Sequence, residues 1–439
     1  MKPVTPVDHP DFTDWLEPLF AFTCADARQL IADFHAEMHH GLAGEKSSLK
    51  MLPTFIGRPS GNESGRFLAM DLGGTNLRVI AVKLDGKGQA QIGATSRFVI
   101  PAEMMQGAGD RLFDFLAQCV QTFFNQHHFD PRRPYNLGFT FSFPVDQRAI
   151  ASGCLIEWTK GFTATDVVGK DVVALLDAAL HERGVNNVRV SALANDTTGA
   201  LMARAYGDAN CDMGVILGTG SNACYPETRL DRLSGTPAAA VDEMIINMEW
   251  GNFDKLTPTE FDRRLDRDSP NPGRQRLEKM VSGMYLGELA RLVIVAMIDR
   301  GSLLTSGDQP FFAKPYGLTS AHLAQSDAMA DYGLDHIKAA DAQAIARIAH
   351  LVFRRAARIA GTAITAVVTW MDSQLSHSHT IAVDGALFEK YPGFRRQMLA
   401  VIEEIYPKRA DHIQLKLTSD GSGIGAAIIA AVAAGQSYR

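Results

Sequence analysis

Two stretches of this chain share one design. Residues 68–80 read LAMDLGGTNLRVI and residues 213–224 read MGVILGTGSNAC. In each, an apolar run breaks into a glycine turn rich in hydroxyls and amides, then resumes. Glycine lets the backbone turn sharply and lets a ligand come close. Successive backbone N–H groups in such a turn form a nest that attracts oxyanions. A single turn of this kind is compatible with an ordinary β-hairpin. Two of them suggest one polyphosphate held from both sides. Neither matches GxxxxGK[ST], so this is not a Walker loop. Asp71, in the first turn, cannot itself cradle a phosphate. It suits a magnesium ion held through water, because Mg²⁺ keeps several waters and takes one or two carboxylates.

The segments around the turns alternate strand and helix patterns. RFLAMDL, LRVIAVKLD and QAQIGATSRFVI read as antiparallel neighbours. A helix is predicted over 110–129 from Leu112, Leu116, Cys119, Val120, Phe123 and Phe124. The strand YNLGFTFSF and the loop PVDQRAIASGCLIEWTKGF follow it. NVRVSAL then reads as a strand running into a helix at NDTTGALMARAYG. MGVILGT, NACYPE and MIINMEW are strands again. Residues 11–43, 271–301 and 340–371 read as helical, and 52–65 as a loop or linker. TIAVDGALF and HIQLKLTSDGSG read as strand-to-loop units, and GIGAAIIAAVAAG as a closing helix. Strand hairpins followed by helices, twice over, describe two related α/β domains with a cleft between them.

Composition excludes several classes. A net charge of −6 argues against nucleic acid as the main partner. The five cysteines form no CxxC pair, which suits a reducing compartment and argues against a zinc site. No apolar stretch is long enough to span a bilayer, and residues 1–15 lack a signal-peptide pattern. A cytoplasmic monomer or homodimer is the expectation. His35 and His39 stand one helical turn apart, a spacing that could hold a metal, but no third ligand accompanies them and a helix end is the simpler reading.

FLAMDLGGTNLRV resembles the first phosphate motif of the eukaryotic-type hexokinases and glucokinases, members of the actin-like ATPase superfamily. LGFTFSFP, WTKGFTATDVVGKDVV, ANDTTGALM, LGTGSNACY, INMEWGNF, NPGRQRLEKMVSGMYLGELARL, VDGALF and SDGSGIGAA resemble that family's other blocks, in family order. The likeness covers about residues 50–430. It implies a two-domain actin-like, ribonuclease H-like α/β fold with a central cleft. Residues 1–59 are expected to form an N-terminal helical segment and linker belonging to the large domain. Residues 60–194 are expected as the small domain, 195–425 as the large domain, and 426–439 as a C-terminal helix returning to the small one. Closure over the sugar is expected, with hinges near 58–66 and 192–197.

The resemblance also implies transfer of the γ-phosphoryl group of Mg-ATP to a hexose 6-hydroxyl, glucose above all. Asp196 is expected to orient that hydroxyl and accept its proton late, because a carboxylate is a weak base toward an alcohol. An aspartate at a helix start also has a purely structural use as an N-cap. Ser142, Thr159, Lys160, Asn195, Asn222, Glu249 and Glu278 match the family's sugar ligands. Lys160 could also offset charge on the transferring phosphate. Gly73, Gly74, Thr75, Asn76 and Arg78, then Gly218, Thr219, Gly220 and Ser221, match the phosphate contacts. Gly385, Gly421 and Ser422 belong to the adenosine-side blocks. No direct protein ligand to the metal is expected beyond the Asp71 candidate.

Departures fall on the adenosine side. Ala386 stands where a small hydroxyl residue is usual, Ile424 where lysine is usual, and Glu389 and Lys390 break the pattern after DGALF. They bear on nucleotide affinity and donor choice more than on the reaction. The alternatives are a kinase for another sugar, such as an amino sugar, a non-catalytic sugar sensor, and an actin-like filament protein.

Overall fold

The computed structural model describes residues 11–159, 161–234, 242–304, 310–324, 338–418 and 420–436. Helix α1 (Cys24–Leu42) begins at a capping box. The Asp26 N–H donates to Thr23 Oγ1 at 3.2 Å, and the Thr23 N–H donates to Asp26 Oδ2 at 2.7 Å. Thr23 is therefore extended, which divides the single helix expected over 11–43. Strand β1 (Leu52–Pro53) lies inside the stretch expected to be a linker. Strands β2 (Ser64–Leu72), β3 (Asn76–Asp85) and β4 (Ala90–Val99) form the expected antiparallel meander. Helix α2 (Gly109–Gln126) buries Leu112, Leu116, Cys119, Val120, Phe123 and Phe124 along one stripe.

Strand β5 (Tyr135–Phe141) is followed by a region expected to be loop. It contains a small hairpin, β6 (Val145–Ala149) and β7 (Ser152–Leu155). Helix α3 (Val172–Glu182), capped by Asp171, was not evident from the sequence. Strand β8 (Val188–Ala194) then runs into helix α4 (Asp196–Ala205).

A second meander follows, β9 (Cys211–Leu217), β10 (Ser221–Glu227) and β11 (Met244–Asn247). The single helix expected over 271–301 is two: α5 (Arg276–Val281) and α6 (Gly283–Asp299), which meet at an extended Ser282. Helix α7 (Ala339–Met371) matches its expected span. Strand β12 (His379–Asp384), helix α8 (Pro392–Ile405), strand β13 (Ile413–Leu417) and helix α9 (Gly421–Gln436) complete the described chain. Helix α8 was not read from the sequence.

The strands form two sheets with one plan. The first runs β4-β3-β2-β5-β8 and the second β1-β11-β10-β9-β12-β13. In each, a meander supplies antiparallel pairs, and two later strands add in parallel beside its first strand. The second sheet gains β1 at its edge, where Leu52 pairs with Asn247.

Helices α4 and α9 fill the space between the sheets. Helix α9 packs on β2, β3, β5 and β8, while α4 packs on β9, β10 and β12. The two helices approach to backbone distance. A Cβ on Gly425 would lie 2.0 Å from the Gly199 carbonyl oxygen, and one on Gly138 would lie 2.0 Å from that of Ala426. An apolar core of Ala69, Ile80, Leu201, Cys224, Ala382 and Ile428 joins both sheets through this helix pair. The β2–β3 and β9–β10 turns, the start of α4 and the start of α9 all emerge from this arrangement.

Candidate active site

Asn195 and Asp196 divide their roles at the start of α4. Asn195 is the N-cap: its Oδ1 accepts from the Thr197 N–H and from Thr197 Oγ1, both at 2.9 Å. Asp196 is the first helical residue, and its Oδ1 also accepts from the Thr197 N–H at 2.9 Å. The capping role considered for Asp196 therefore belongs to its neighbour. A carboxylate in the first turn is favoured by the helix dipole.

Around the second turn the polar residues interlock. Asn222 Nδ2 donates to Asn247 Oδ1 at 2.9 Å and to Glu249 Oε1 at 3.1 Å. Asn247 Nδ2 donates to the same Glu249 oxygen at 3.0 Å. Glu249 has left-handed backbone (φ 52°), which turns its side chain back toward these amides at the end of β11. Glu278, in the first turn of α5, accepts from the Ser221 N–H at 2.9 Å. Two carboxylates thus flank one strand end, each held by hydrogen-bond donors.

Ser221, matched above to a phosphate contact, is also bound within the protein. Its hydroxyl is buried and accepts from Trp250 Nε1 at 2.9 Å, and its N–H is engaged by Glu278. Both groups face the protein. Thr219, by contrast, is exposed at the tip. The turn is closed by the Gly218 N–H donating to Gly220 O at 3.0 Å. Helix α6 supports it from behind: the Gly283 N–H donates to Gly218 O at 2.8 Å and the Met284 N–H to Thr219 O at 3.2 Å. These bonds account for the break at Ser282, since the start of α6 must face those carbonyls. Gly385 passes so close that a Cβ there would lie 2.3 Å from Leu217 O.

The first turn is held by one outside backbone bond, from the Ile100 N–H to Thr75 O at 2.9 Å, and by side chains. Asp71 Oδ2 accepts from Ser422 Oγ at 2.7 Å and from Arg78 Nη2 at 3.4 Å. Arg78 Nη1 donates to Asp420 Oδ1 at 2.5 Å. Thr140 Oγ1 donates to the Ser422 carbonyl at 3.1 Å, tying β5 to the start of α9. Gly73, Thr75 and Asn76 are exposed, and Gly74 has a φ of 140°. Gly421 is buried against Ala200 of α4, where a Cβ would lie 2.9 Å from the alanine Cα.

Ser142 is buried just beyond β5, its N–H donating to Leu72 O at 3.3 Å. Thr159 is exposed on the loop after β7, and Lys160 lies outside the described residues. An aromatic group braces that loop: Trp158 stacks on Phe162 with centroids 5.2 Å apart, and Trp158 Nε1 donates to Ala164 O at 2.8 Å.

Ala386 is exposed at the start of the short helix Ala386–Lys390, while Ile424 is half-buried against the core that joins the sheets. His35 serves packing: its Nε2 lies 2.7 Å from Ala366 O and 3.3 Å from Thr369 Oγ1 on α7. No cluster of three metal-ligating side chains occurs among the described residues.

Asp384, at the end of β12, was overlooked in the sequence. Burial is the main reason its carboxyl is pushed up to about 6, with Asp196 and Asp420 adding like charge and the Gly421 and Gly385 N–H groups opposing the rise. Asn247 was also missed. It ends β11 two residues before Glu249, and the left-handed turn at Glu249 brings the carboxylate back onto its side-chain amide.

The duplicated sheet, the paired glycine turns and the central cleft define an actin-like phosphotransferase fold. The chain belongs to the hexokinase family of ATP-dependent sugar kinases: one hexokinase family model matches residues 13–206 and a second matches 212–432. It is 42% identical to "Hexokinase-4, chloroplastic" of Oryza sativa subsp. japonica, over 91% of this chain and 84% of that one. It is 37% identical to a glucokinase of Aspergillus niger, over 96% of each chain. A solved hexokinase from Schistosoma mansoni, complexed with glucose, superposes with a TM-score of 0.85 at 34% identity, covering 95% of this chain and 97% of that one. Among the described residues, no helix is long and apolar enough to cross a membrane.

Proposed function

We propose that this chain transfers the γ-phosphoryl group of Mg-ATP to the 6-hydroxyl of glucose and of closely related hexoses, feeding glycolysis from the cytoplasm. The observation that carries this reading is the ladder Asn222–Asn247–Glu249 beside Ser221–Glu278. A sugar needs several fixed hydrogen-bond partners, and a carboxylate accepts from two hydroxyls. Such a site rejects analogues that leave its polar groups unpaired.

In this reading Glu249 and Glu278 hold adjacent sugar hydroxyls, with Asn195, Asn222, Ser142 and Thr159 completing the set and Lys160 facing the transferring phosphate. Asp196 orients the 6-hydroxyl and takes its proton as the new oxygen–phosphorus bond forms. The first turn, Gly73 to Asn76 with Arg78, and the second, Gly218 to Gly220, cradle the phosphates through backbone N–H groups. Magnesium, when bound, neutralises charge on the phosphates. Asp71 would hold it through water. Residues 60–194 form the small domain in this scheme, and its closure excludes water as a competing acceptor.

ADP release from Mg-ATP tests the proposal, measured with glucose, mannose, fructose, glucosamine and N-acetylglucosamine in parallel and with a sugar-free control. Glucose-dependent release over a low sugar-free rate supports it. Silence with glucose alongside turnover of an amino sugar would replace the substrate. Silence with every sugar would replace the activity with sugar sensing.

A further inference from the structure

Glu157 immediately precedes the Trp158–Thr159–Lys160 stretch, and Arg274 stands four residues before Glu278. Their side chains meet in a bidentate ion pair. Arg274 Nη2 lies 2.5 Å from Glu157 Oε1, and Nη1 lies 3.1 Å from Oε2. The partners come from opposite halves of the molecule. Glu157 sits on the loop that leaves β7, whereas Arg274 opens the turn into α5, which packs on β10 of the second sheet. Arg274 first, and Lys50 at longer range, hold the Glu157 carboxyl below the usual carboxylate range.

Both ends rest on firm supports. Beside Glu157, Trp158 is hydrogen-bonded to Ala164 O and stacked on Phe162. Beside Arg274, Gln275 is left-handed at φ 54°, and its Oε1 lies where a Cβ on Gly251 would sit at 2.4 Å. The pair itself is open to solvent, with side chains 36% and 54% exposed. An exposed ion pair adds little to folding stability. A pair that joins the two walls of a cleft biases the balance between open and closed forms when it is made in only one of them.

We propose that Glu157 and Arg274 are positioning residues: an electrostatic latch that holds the sugar-side loop against the helix carrying Glu278 and so slows sugar release. The latch rests on the sugar-kinase reading above. It acts on sugar affinity and leaves the chemistry to other groups.

The full chain is titrated with glucose by calorimetry and assayed in parallel at steady state. E157Q and R274Q each raise the glucose Kd and KM about threefold, leave kcat within about twofold, and leave the melting temperature unchanged. E157R raises Kd further by placing like charges together, and the double reversal E157R/R274E brings it back toward wild type. Salt at about 0.5 M moves the wild-type Kd toward that of E157Q and barely moves E157Q itself. Normal glucose binding in wild type with unchanged Kd in both single variants overturns the latch alone. So does a double reversal no better than E157R. Absence of any sugar binding by wild type removes the sugar-kinase reading and the latch with it.

Discussion

The two glycine turns look alike in sequence but are held differently. The second is fixed from behind by backbone: α6 donates to Gly218 and Thr219 carbonyls, Glu278 takes the Ser221 N–H, and Gly385 leaves no room for movement. The first has one outside backbone bond, from the Ile100 N–H to Thr75 O at 2.9 Å, and is otherwise held by side chains at the start of α9, Ser422 on Asp71 and Asp420 on Arg78. Backbone bonds to the start of a helix make a rigid wall. Side-chain bonds to a separate helix can be exchanged for others. The second turn is therefore suited to be a fixed anchor for a phosphate chain, and the first a grip that adjusts to the bound nucleotide.

Asp196 belongs to neither turn, so its removal sets the scale. Asp196→Ala is expected to lower kcat about 10³-fold while leaving measurable glucose binding. Near-normal turnover in a steady-state assay would sink the assignment of the base. Gly385→Ala attacks the rigid turn: its Cβ meets Leu217 O, and kcat/KM for ATP is expected to fall about 10-fold or more, with a stability loss of about 1–3 kcal/mol. Unchanged kinetics and melting temperature would mean that the second turn yields easily.

Asn247→Ala removes a donor from Glu249 without touching either turn. The KM for glucose should rise about tenfold, in line with a hydrogen bond to a charged group, while the KM for ATP stays put. A shift in the ATP value instead would place Asn247 on the wrong side of the cleft. Ser422→Ala loosens the adjustable turn, and a rise of about threefold in the KM for ATP is expected. If that change equals or exceeds the effect of Gly385→Ala, the contrast between the turns is reversed.

Asp384 gives the smallest effect and a sign that can be checked. Its folded carboxyl, at about 6, lies above the ordinary 3.8, so the native state holds the proton more tightly than the unfolded one. Its contribution to stability therefore falls as pH rises from about 4 to about 6 and stays low above that. Without nucleotide, Asp384→Asn is expected to raise the melting temperature at pH 8 and leave it unchanged near pH 4. Equal shifts at both values would remove charge as the cause.

Much of this was legible in the chain because it is local. A glycine turn after an apolar run announces itself, and so does the 3.6-residue stripe of α2. The plan of the two sheets followed from strand hairpins repeating before helices. What stayed hidden depends on partners distant in sequence. That the Ser221 hydroxyl accepts from an indole depends on Trp250, which no spacing rule connects to it. The apolar pattern of 271–301 runs on through Ser282, yet the helix breaks there because carbonyls of the second turn need its N–H groups. Leu52 and Pro53 look like linker until Asn247 and Ile246 pair with them. Asn247 was within reach, two residues from a glutamate already singled out. Glu157 and Arg274 were not, since only the folded cleft brings them together.

The glycine contacts of α9 have a consequence for how the molecule is made. That helix is synthesised after every strand it covers, and it touches both the first sheet and α4 at backbone distance. Until residues 421–436 have left the ribosome, the facing surfaces of β2, β5, β8 and α4 have nothing to bury them. The same stretch delivers Ser422 to Asp71, and Asp420, one residue before it, meets Arg78. A nascent chain lacking it holds every strand of both sheets but leaves one face of the first uncovered and Asp71 without Ser422. Catalytic competence should therefore appear in one step during synthesis, with the docking of this helix, and a ribosome stalled before residue 421 should display a chain with no sugar-kinase activity.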